Sequence, residues 1–468
     1  MKKLPILGAL AGFVLAAATL DAAPRPNIVF LLSDDQRSDT IAALGNPHIK
    51  TPHLDALTRR GTVFTRAHAA NPICVASRAE ILSGCRGFTN GVLMANRLDE
   101  SLALWPAIMR ERNYHTWYVG KWHTVGRPST RGFSDTLGLY AGGGGKLWKD
   151  QNDFKGIPVS GYRGWVFQTD GRQIFPEKGV GLTANISTHF ADAAIEFIRR
   201  KPARPFFLHV NFTAPHDPLI MPPGYEDRYS PDQIPLPENH RSEHPFDHGN
   251  LVGRDERMLP WPRTKHAVRE NLAMYYRVIS HLDEQVGRIV AALDATGQAE
   301  NTIVIFASDH GLAVGSHGLM GKQNMYDHTI LVPLIFSGPG IPRGQRRDAF
   351  VYLRDLFPTT CELAGFEVPR SVEGTSLVPI IRGARQTIRD RAYCYFRDVQ
   401  RMVRDDRYKL IRYPKIDRYQ LFDTKADPHE LHDLAGSPQH AGRLLRLKAE
   451  LAAWQRRVHD PLAAEPGR

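Results

Sequence analysis

The chain has 468 residues, 42% of them hydrophobic, and carries 60 Lys and Arg against 49 Asp and Glu, a formal net charge of +11. That length suffices for a large core or two unequal lobes, and four cysteines are too few for a disulfide-built scaffold. The positive excess favours anionic partners, but no dense Lys/Arg run, helix-turn-helix or zinc-finger spacing is present, which argues against nucleic acid.

Lys2 and Lys3, the uncharged Ala-rich stretch 4–20 and the small residues Ala22 and Ala23 read as a secretory signal over 1–23. Export to a periplasmic or extracellular location is expected. No stable membrane insertion is expected, because no later run is long and apolar enough to span a bilayer. Beyond the signal, residues 27–32, 114–119, 206–212, 302–307 and 333–337 read as buried strands. Between or after them, 101–112, 188–201, about 265–296 and 353–364 carry helical spacing, with Gly365 closing the last. This alternation predicts an α/β fold: a large, mostly parallel central sheet covered by helices on both faces. The segments 138–181 and 215–262 break the rhythm and read as long functional loops. After about residue 385, strands over 391–396 and 402–413 (the latter turning at 404–407), the 421–423 segment and a helix over 439–459 predict a smaller α+β subdomain with an antiparallel sheet. The expected organisation is a signal over 1–23, an α/β domain over 24–385 and the subdomain over 386–468.

Four polar clusters each follow a predicted strand: Asp34-Asp35, Lys121 with His123, His216, and Asp309-His310. Ligands of open parallel sheets bind beyond the carboxyl ends of strands, so these clusters are expected to share one crevice. Asp34, Asp35 and Asp309 suit a hard divalent cation, calcium or magnesium, with His310 an atypical neighbour. The simpler alternative is a solvated turn neutralised by Arg37. If its segment stays extended, alternation sends Lys121 and His123 to one side and Trp122 to the other. There the ammonium can hold an anionic oxygen and the imidazole can move a proton, although a surface basic pair also fits. Lys322 and His216 are individually weak signals. Cys74 precedes Ala76-Ser77-Arg78-Ala79-Glu80-Ile81-Leu82, which opens a helix that Gly84 closes, so its side chain faces the free N–H groups of the first turn. The residue reads as a small buried hydrophobe, as a thiolate favoured by the helix end and Arg78, or as half of a disulfide with Cys85.

Cys74-Val75-Ala76-Ser77-Arg78 followed by Leu82-Ser83-Gly84 resembles the signature of the formylglycine-dependent sulfatases, in the alkaline-phosphatase-like superfamily. The rest of the chain is similar in the same order. Asn27-Ile28-Val29-Phe30 through Asp34-Asp35-Gln36 comes first, then Thr51-Pro52-His53-Leu54-Asp55, then Gly120-Lys121-Trp122-His123. Ala214-Pro215-His216, Ser308-Asp309-His310-Gly311, Gly321-Lys322 and Gln420-Leu421-Phe422-Asp423 follow. Two positions depart from the family pattern: Ala76 where Pro is usual, and His310 where many members have Asn.

The resemblance implies conversion of Cys74 to formylglycine by a maturation enzyme, one calcium ion held by Asp34, Asp35, Asp309, His310 and residue 74, and attack on a sulfate ester. It further implies Asp309 as base, Lys121 and Lys322 as charge stabilisers, His216 or Lys322 as proton donor and His123 as proton acceptor. Arg78 would orient the nucleophile. Export, the basic surface and the aromatic-containing loops point to a sulfated carbohydrate as partner. Two alternatives stand beside this. One is a phosphodiesterase or phosphonate hydrolase of the same superfamily; the other is a non-catalytic anionic-glycan-binding protein, should Cys74 stay unconverted.

Overall fold

The computed structural model describes residues 25–94 and 98–463, so the signal expected over 1–23 lies outside the described residues. A nine-stranded mixed sheet organises the chain. Its strand order is Gln345–Arg347, Gly61–Phe64, Leu334–Ser337, Thr302–Ser308, Asn27–Ser33, Phe206–Asn211, His115–Lys121, Asp135–Gly142 and Trp165–Gln168. The five strands from Thr302–Ser308 to Asp135–Gly142 run parallel to one another. Leu334–Ser337 and Trp165–Gln168 flank this block antiparallel.

Alternation along the buried strands assigns each side chain to a face. Val29, Leu31, Leu208, Val210, Val304 and Phe306 face one side, where they join Phe190 and Phe197 of helix Ile186–Arg199 and Leu272, Ile279 and Leu282 of helix Lys265–Ala295. Ile28, Phe30, Phe207, Ile303 and Ile305 face the other, against Trp105 and Met109 of helix Trp105–Glu111 and Leu356 and Phe357 of helix Leu356–Leu363. Both faces are therefore dry, which is why the central strands carry continuous apolar runs.

A separate four-stranded antiparallel sheet pairs Ala392–Phe396, Gln400–Arg404, Tyr408–Tyr413 and Arg418–Asp423 in sequence order. Helix Ala441–Arg457 covers it through Leu447, Leu451 and Trp454. This sheet also presses on helix Cys74–Ser83: Val75, Ala76 and Ala79 share an apolar cluster with Cys394, Phe396, Met402, Ile411 and Phe422. Every residue of that helix is buried. Gly84 ends it with φ +66, as only a residue free of Cβ strain readily does.

One expectation needs correction. The segment 138–181 is not only loop, because Asp135–Gly142 and Trp165–Gln168 extend the central sheet at its edge. Both strands are short and interrupted by glycine, so their periodicity is weak. The 402–413 run turns where expected: strands Gln400–Arg404 and Tyr408–Tyr413 flank a tight reversal at 405–407, in which Tyr408 N–H donates to Asp405 Oδ1 at 2.7 Å.

Candidate active site

The four expected polar clusters follow four neighbouring parallel strands and emerge at the same edge of the sheet. Asp34 and Asp35 follow Asn27–Ser33, Asp309 and His310 follow Thr302–Ser308, His216 lies five residues after Phe206–Asn211, and Lys121 ends His115–Lys121. The turn after the first strand is fixed by its backbone. Asp35 N–H donates to Asp309 Oδ1 at 3.2 Å, Gln36 N–H donates to Ser308 Oγ at 2.9 Å, and the Tyr275 hydroxyl donates to the Asp35 carbonyl at 2.5 Å. Asp35 itself adopts φ +69, a left-handed conformation tolerated by Asp better than by most residues. The buried helix Cys74–Ser83 brings Cys74 and Arg78 from the side, and the loop before residue 326 brings Lys322.

Cys74 occupies the centre and is 2% exposed. Its Sγ lies 3.2 Å from His310 Nε2, 3.3 Å from Asp34 Oδ1, 3.6 Å from Lys322 Nζ and 4.0 Å from Asp35 Oδ1. Arg78 reaches Asp309 Oδ2 through Nε and Nη2, both at 3.0 Å, and Asp34 Oδ1 at 3.4 Å. Lys121 Nζ meets Asp34 Oδ2 at 2.5 Å. Lys322 Nζ lies 2.8 Å from Asp35 Oδ2 and 2.9 Å from His216 Nε2. All ten residues proposed for the site are brought to one place, with His123 beside Trp165 on the Cys74 side of the crevice.

The electrostatics follow from three carboxylates and three obligate cations buried together. Burial alone would raise the Cys74 thiol, but Lys121, Lys322 and His310 take it well below its ordinary value. Burial and the neighbouring Asp34 push Asp309 up to about 7. Against the cost of burial, Asp309 and Asp35 raise His310 to about 9, and Asp217 and Asp35 hold His216 well above the usual imidazole value. His123 moves the other way: burial lowers it and leaves it neutral near pH 7.

Candidate ligand atoms of Asp34, Asp35, Cys74 and His310 all lie within 4.8 Å of one another. Oxygen ligands about 2.4 Å from a calcium ion are spaced on this scale, so the residues present fit a hard divalent cation. Asp309 stands slightly apart. Its Oδ2 is taken by Arg78, and its Oδ1 accepts the backbone N–H groups of Asp35 and His310. Arg37 does not neutralise the aspartates. It turns away to Asp39 at 2.6 Å and to the Ala313 carbonyl at 2.8 Å. Nor does Cys74 meet Cys85, which is a free thiol directed at the Ser371 carbonyl.

Three site residues escaped the sequence reading. Ser77 ties the helix to the site by donating to the Asp309 carbonyl at 2.7 Å. Asp217 backs His216, with Oδ1 3.0 Å from Nδ1, and is itself clamped by Arg254 at 2.6 and 3.0 Å. Tyr162 donates its hydroxyl to Asp34 Oδ2 at 2.6 Å from within the expected loop. Its one sequence signal is an aromatic side chain between Gly161 and Gly164, in the segment that follows Lys121 and His123.

A parallel-sheet crevice that gathers a buried thiol, three carboxylates and several cationic side chains at the carboxyl ends of its strands suits an anionic ester. The sulfatase family profile matches residues 26–366, and a profile for the C-terminal part of N-sulphoglucosamine sulphohydrolase matches residues 315–457. The chain is 29% identical over 451 residues to an arylsulfatase of Clostridium perfringens, covering 90% of this chain and 92% of that one. It is 25% identical over 508 residues to an N-acetylglucosamine-6-O-sulfatase of Bacteroides thetaiotaomicron, covering 93% and 87%. A solved structure described as a complex with its substrate D-glucosamine-2-N,6-O-disulfate superimposes with a TM-score of 0.76 at 24% identity, over 94% of this chain and all of that one. The chain belongs to the sulfatase family and is a sulfuric ester hydrolase.

Proposed function

We propose that this protein is exported and removes sulfate from a sulfated carbohydrate, using formylglycine made from Cys74 by a maturation enzyme and one calcium ion. The observation that carries the reading is the placement of Cys74 Sγ, 3.2 Å from His310, 3.3 Å from Asp34 and 3.6 Å from Lys322, with no disulfide partner. The thiol stands where the oxygens of an aldehyde hydrate would lie. That hydrate would supply one hydroxyl to attack sulfur and a second to release sulfate afterwards. The calcium ion, held by Asp34, Asp35, His310 and residue 74 with Asp309 beside them, would supply positive charge to the sulfuryl oxygens.

The side chains divide the remaining work. Asp309, with a carboxyl near pH 7, accepts the proton of the attacking hydroxyl. Lys121 and Lys322 hold positive charge where the sulfuryl oxygens gain negative charge, in a site closed to water. His216 is protonated and aims Nε2 into the crevice beside Lys322, so either can protonate the leaving oxygen. His123, neutral beside position 74, accepts the proton from the second hydroxyl. Arg78 holds Asp309 and Asp34 in register with the nucleophile.

The carbohydrate assignment draws on the sugar-sulfatase name of the relative, the sugar disulfate of the solved complex, and the Tyr162 and Trp165 rings beside His216 and His123. Peptide mass spectrometry of active protein tests the nucleophile: formylglycine is expected at position 74, and active enzyme that carries only thiol there refutes it. A panel of sulfated saccharides, aryl sulfates and matched phosphate esters tests the substrate. Sugar sulfates are expected to react fastest, and preference for phosphate esters would favour the phosphohydrolase alternative.

A further inference from the structure

Tyr162 combines four features that a residue of a surface loop has no reason to share. Its backbone is left-handed at φ +55, a conformation that a bulky residue adopts only where its surroundings hold it, and such outliers gather at functional sites. It is buried, between the strands Asp135–Gly142 and Trp165–Gln168. Its ring lies 5.1 Å beneath the Lys121 ammonium and edge-on to His216 at 4.8 Å. Its hydroxyl donates to Asp34 Oδ2 at 2.6 Å.

The Asp34 carboxylate is thereby divided between two tasks. Oδ2 takes the two shortest protein contacts, the Lys121 ammonium at 2.5 Å and the Tyr162 hydroxyl at 2.6 Å. Oδ1 is turned toward the centre, 3.3 Å from Cys74 Sγ and 3.4 Å from Arg78 Nη2. Two donors approaching one oxygen from different elements fix the carboxylate plane, which one flexible ammonium cannot do alone. The turn carrying Tyr162 is held in its own right. Trp165 N–H donates to the Tyr162 carbonyl at 3.0 Å, Gly144 N–H donates to the Gly164 carbonyl at 2.7 Å, and Arg163 Nε donates to the Val159 carbonyl at 2.9 Å.

We infer that Tyr162 is a positioning residue that orients Asp34 as a one-oxygen ligand for the divalent cation, so that the 143–164 segment is part of the metal site rather than only a wall of the substrate cleft. The inference rests on the cation reading above. The donor acts through Asp34 and does not itself touch the metal.

The test is calcium affinity of purified full-length protein without substrate, measured by competition with a fluorescent chelator below the melting temperature of every variant. Tyr162→Phe keeps the ring under Lys121 and removes only the hydroxyl. Its calcium affinity is expected to fall about tenfold, the usual effect of removing a hydrogen bond to a metal ligand. Its metal-free melting temperature should stay close to the parent's. Asp34→Asn, which removes the ligand charge itself, should lose binding almost entirely. Parent-like affinity in Tyr162→Phe, with Asp34→Asn impaired, overturns the role of Tyr162 and leaves the metal site standing. A parent that binds no calcium overturns both.

Discussion

Cys74, Lys121 and His310 are the single side chains on which the proposed chemistry can be tried first. On the formylglycine proposal, Cys74→Ser would offer one hydroxyl where a hydrate would offer two. Sulfatase activity should fall at least ~10³-fold while the melting temperature moves little, measured on matched preparations by sulfate release and thermal scanning. Lys121→Met keeps most of the stem volume but leaves Asp34 without its nearest cation. Because breaking a buried pair leaves an uncompensated charge, this variant should lose both activity and about 3 kcal/mol of stability, read by denaturant unfolding. His310→Asn would restore the residue common at that position in the resembled family. With His310 Nε2 only 3.2 Å from Cys74 Sγ, the shorter amide should alter calcium affinity more than melting temperature.

At the scale of elements, the helix Cys74–Ser83 is decisive, because it is clamped between the central sheet and the C-terminal sheet. Glu80 on its buried side receives the Tyr395 hydroxyl at 2.5 Å and Arg354 at 2.9 Å, which ties the helix to both parts of the molecule. Tyr395 also takes the Gly87 N–H at 2.7 Å, so the hydroxyl organises the exit of the helix as well. Glu80→Ala would leave Arg354 buried and unpaired. A loss of about 3–5 kcal/mol is expected in urea unfolding, with activity of the surviving folded fraction reduced as the helix start shifts. Parent-like stability in Glu80→Ala would show that the clamp is not energetic.

For the molecule as a whole, the buried histidines set a limit at low pH. His68, His209 and His244 are neutral inside the fold, each lowered by burial to about 3. A group whose folded value is depressed stabilises the fold fully above its unfolded value near 6.5, and that contribution is lost as pH falls toward the folded value. Stability should therefore decline from just below pH 6.5 down toward about pH 3, each histidine withdrawing up to about 1.4 kcal/mol per pH unit. Melting temperature against pH checks this, and the decline should be shallower in His244→Gln. A melting temperature unchanged between pH 7 and 4.5 would contradict it.

Much of the architecture was legible in the residues because buried parallel strands need continuous apolar runs, which 27–32, 206–212 and 302–307 display. The positions of Asp34, Asp35, Asp309 and His310 were legible for a related reason: a polar residue directly after such a run sits at the carboxyl edge, where the sheet topology opens its crevice. The edge strands Asp135–Gly142 and Trp165–Gln168 were not, since glycines and partial exposure erase their period. The alternative partner for Arg37, the Asp34-Asp35 pair, could be set aside only in the fold, where the guanidinium pairs with Asp39. The sequence by itself determined which chemical groups are available and which strand end each one follows. Only the tertiary structure decided that Tyr162, 128 positions from Asp34, shares an oxygen with Lys121, and that the C-terminal sheet seats the Cys74 helix. Strand periodicity is a local property written every second residue, whereas the direction of a carboxylate depends on donors that meet only when distant loops close over it.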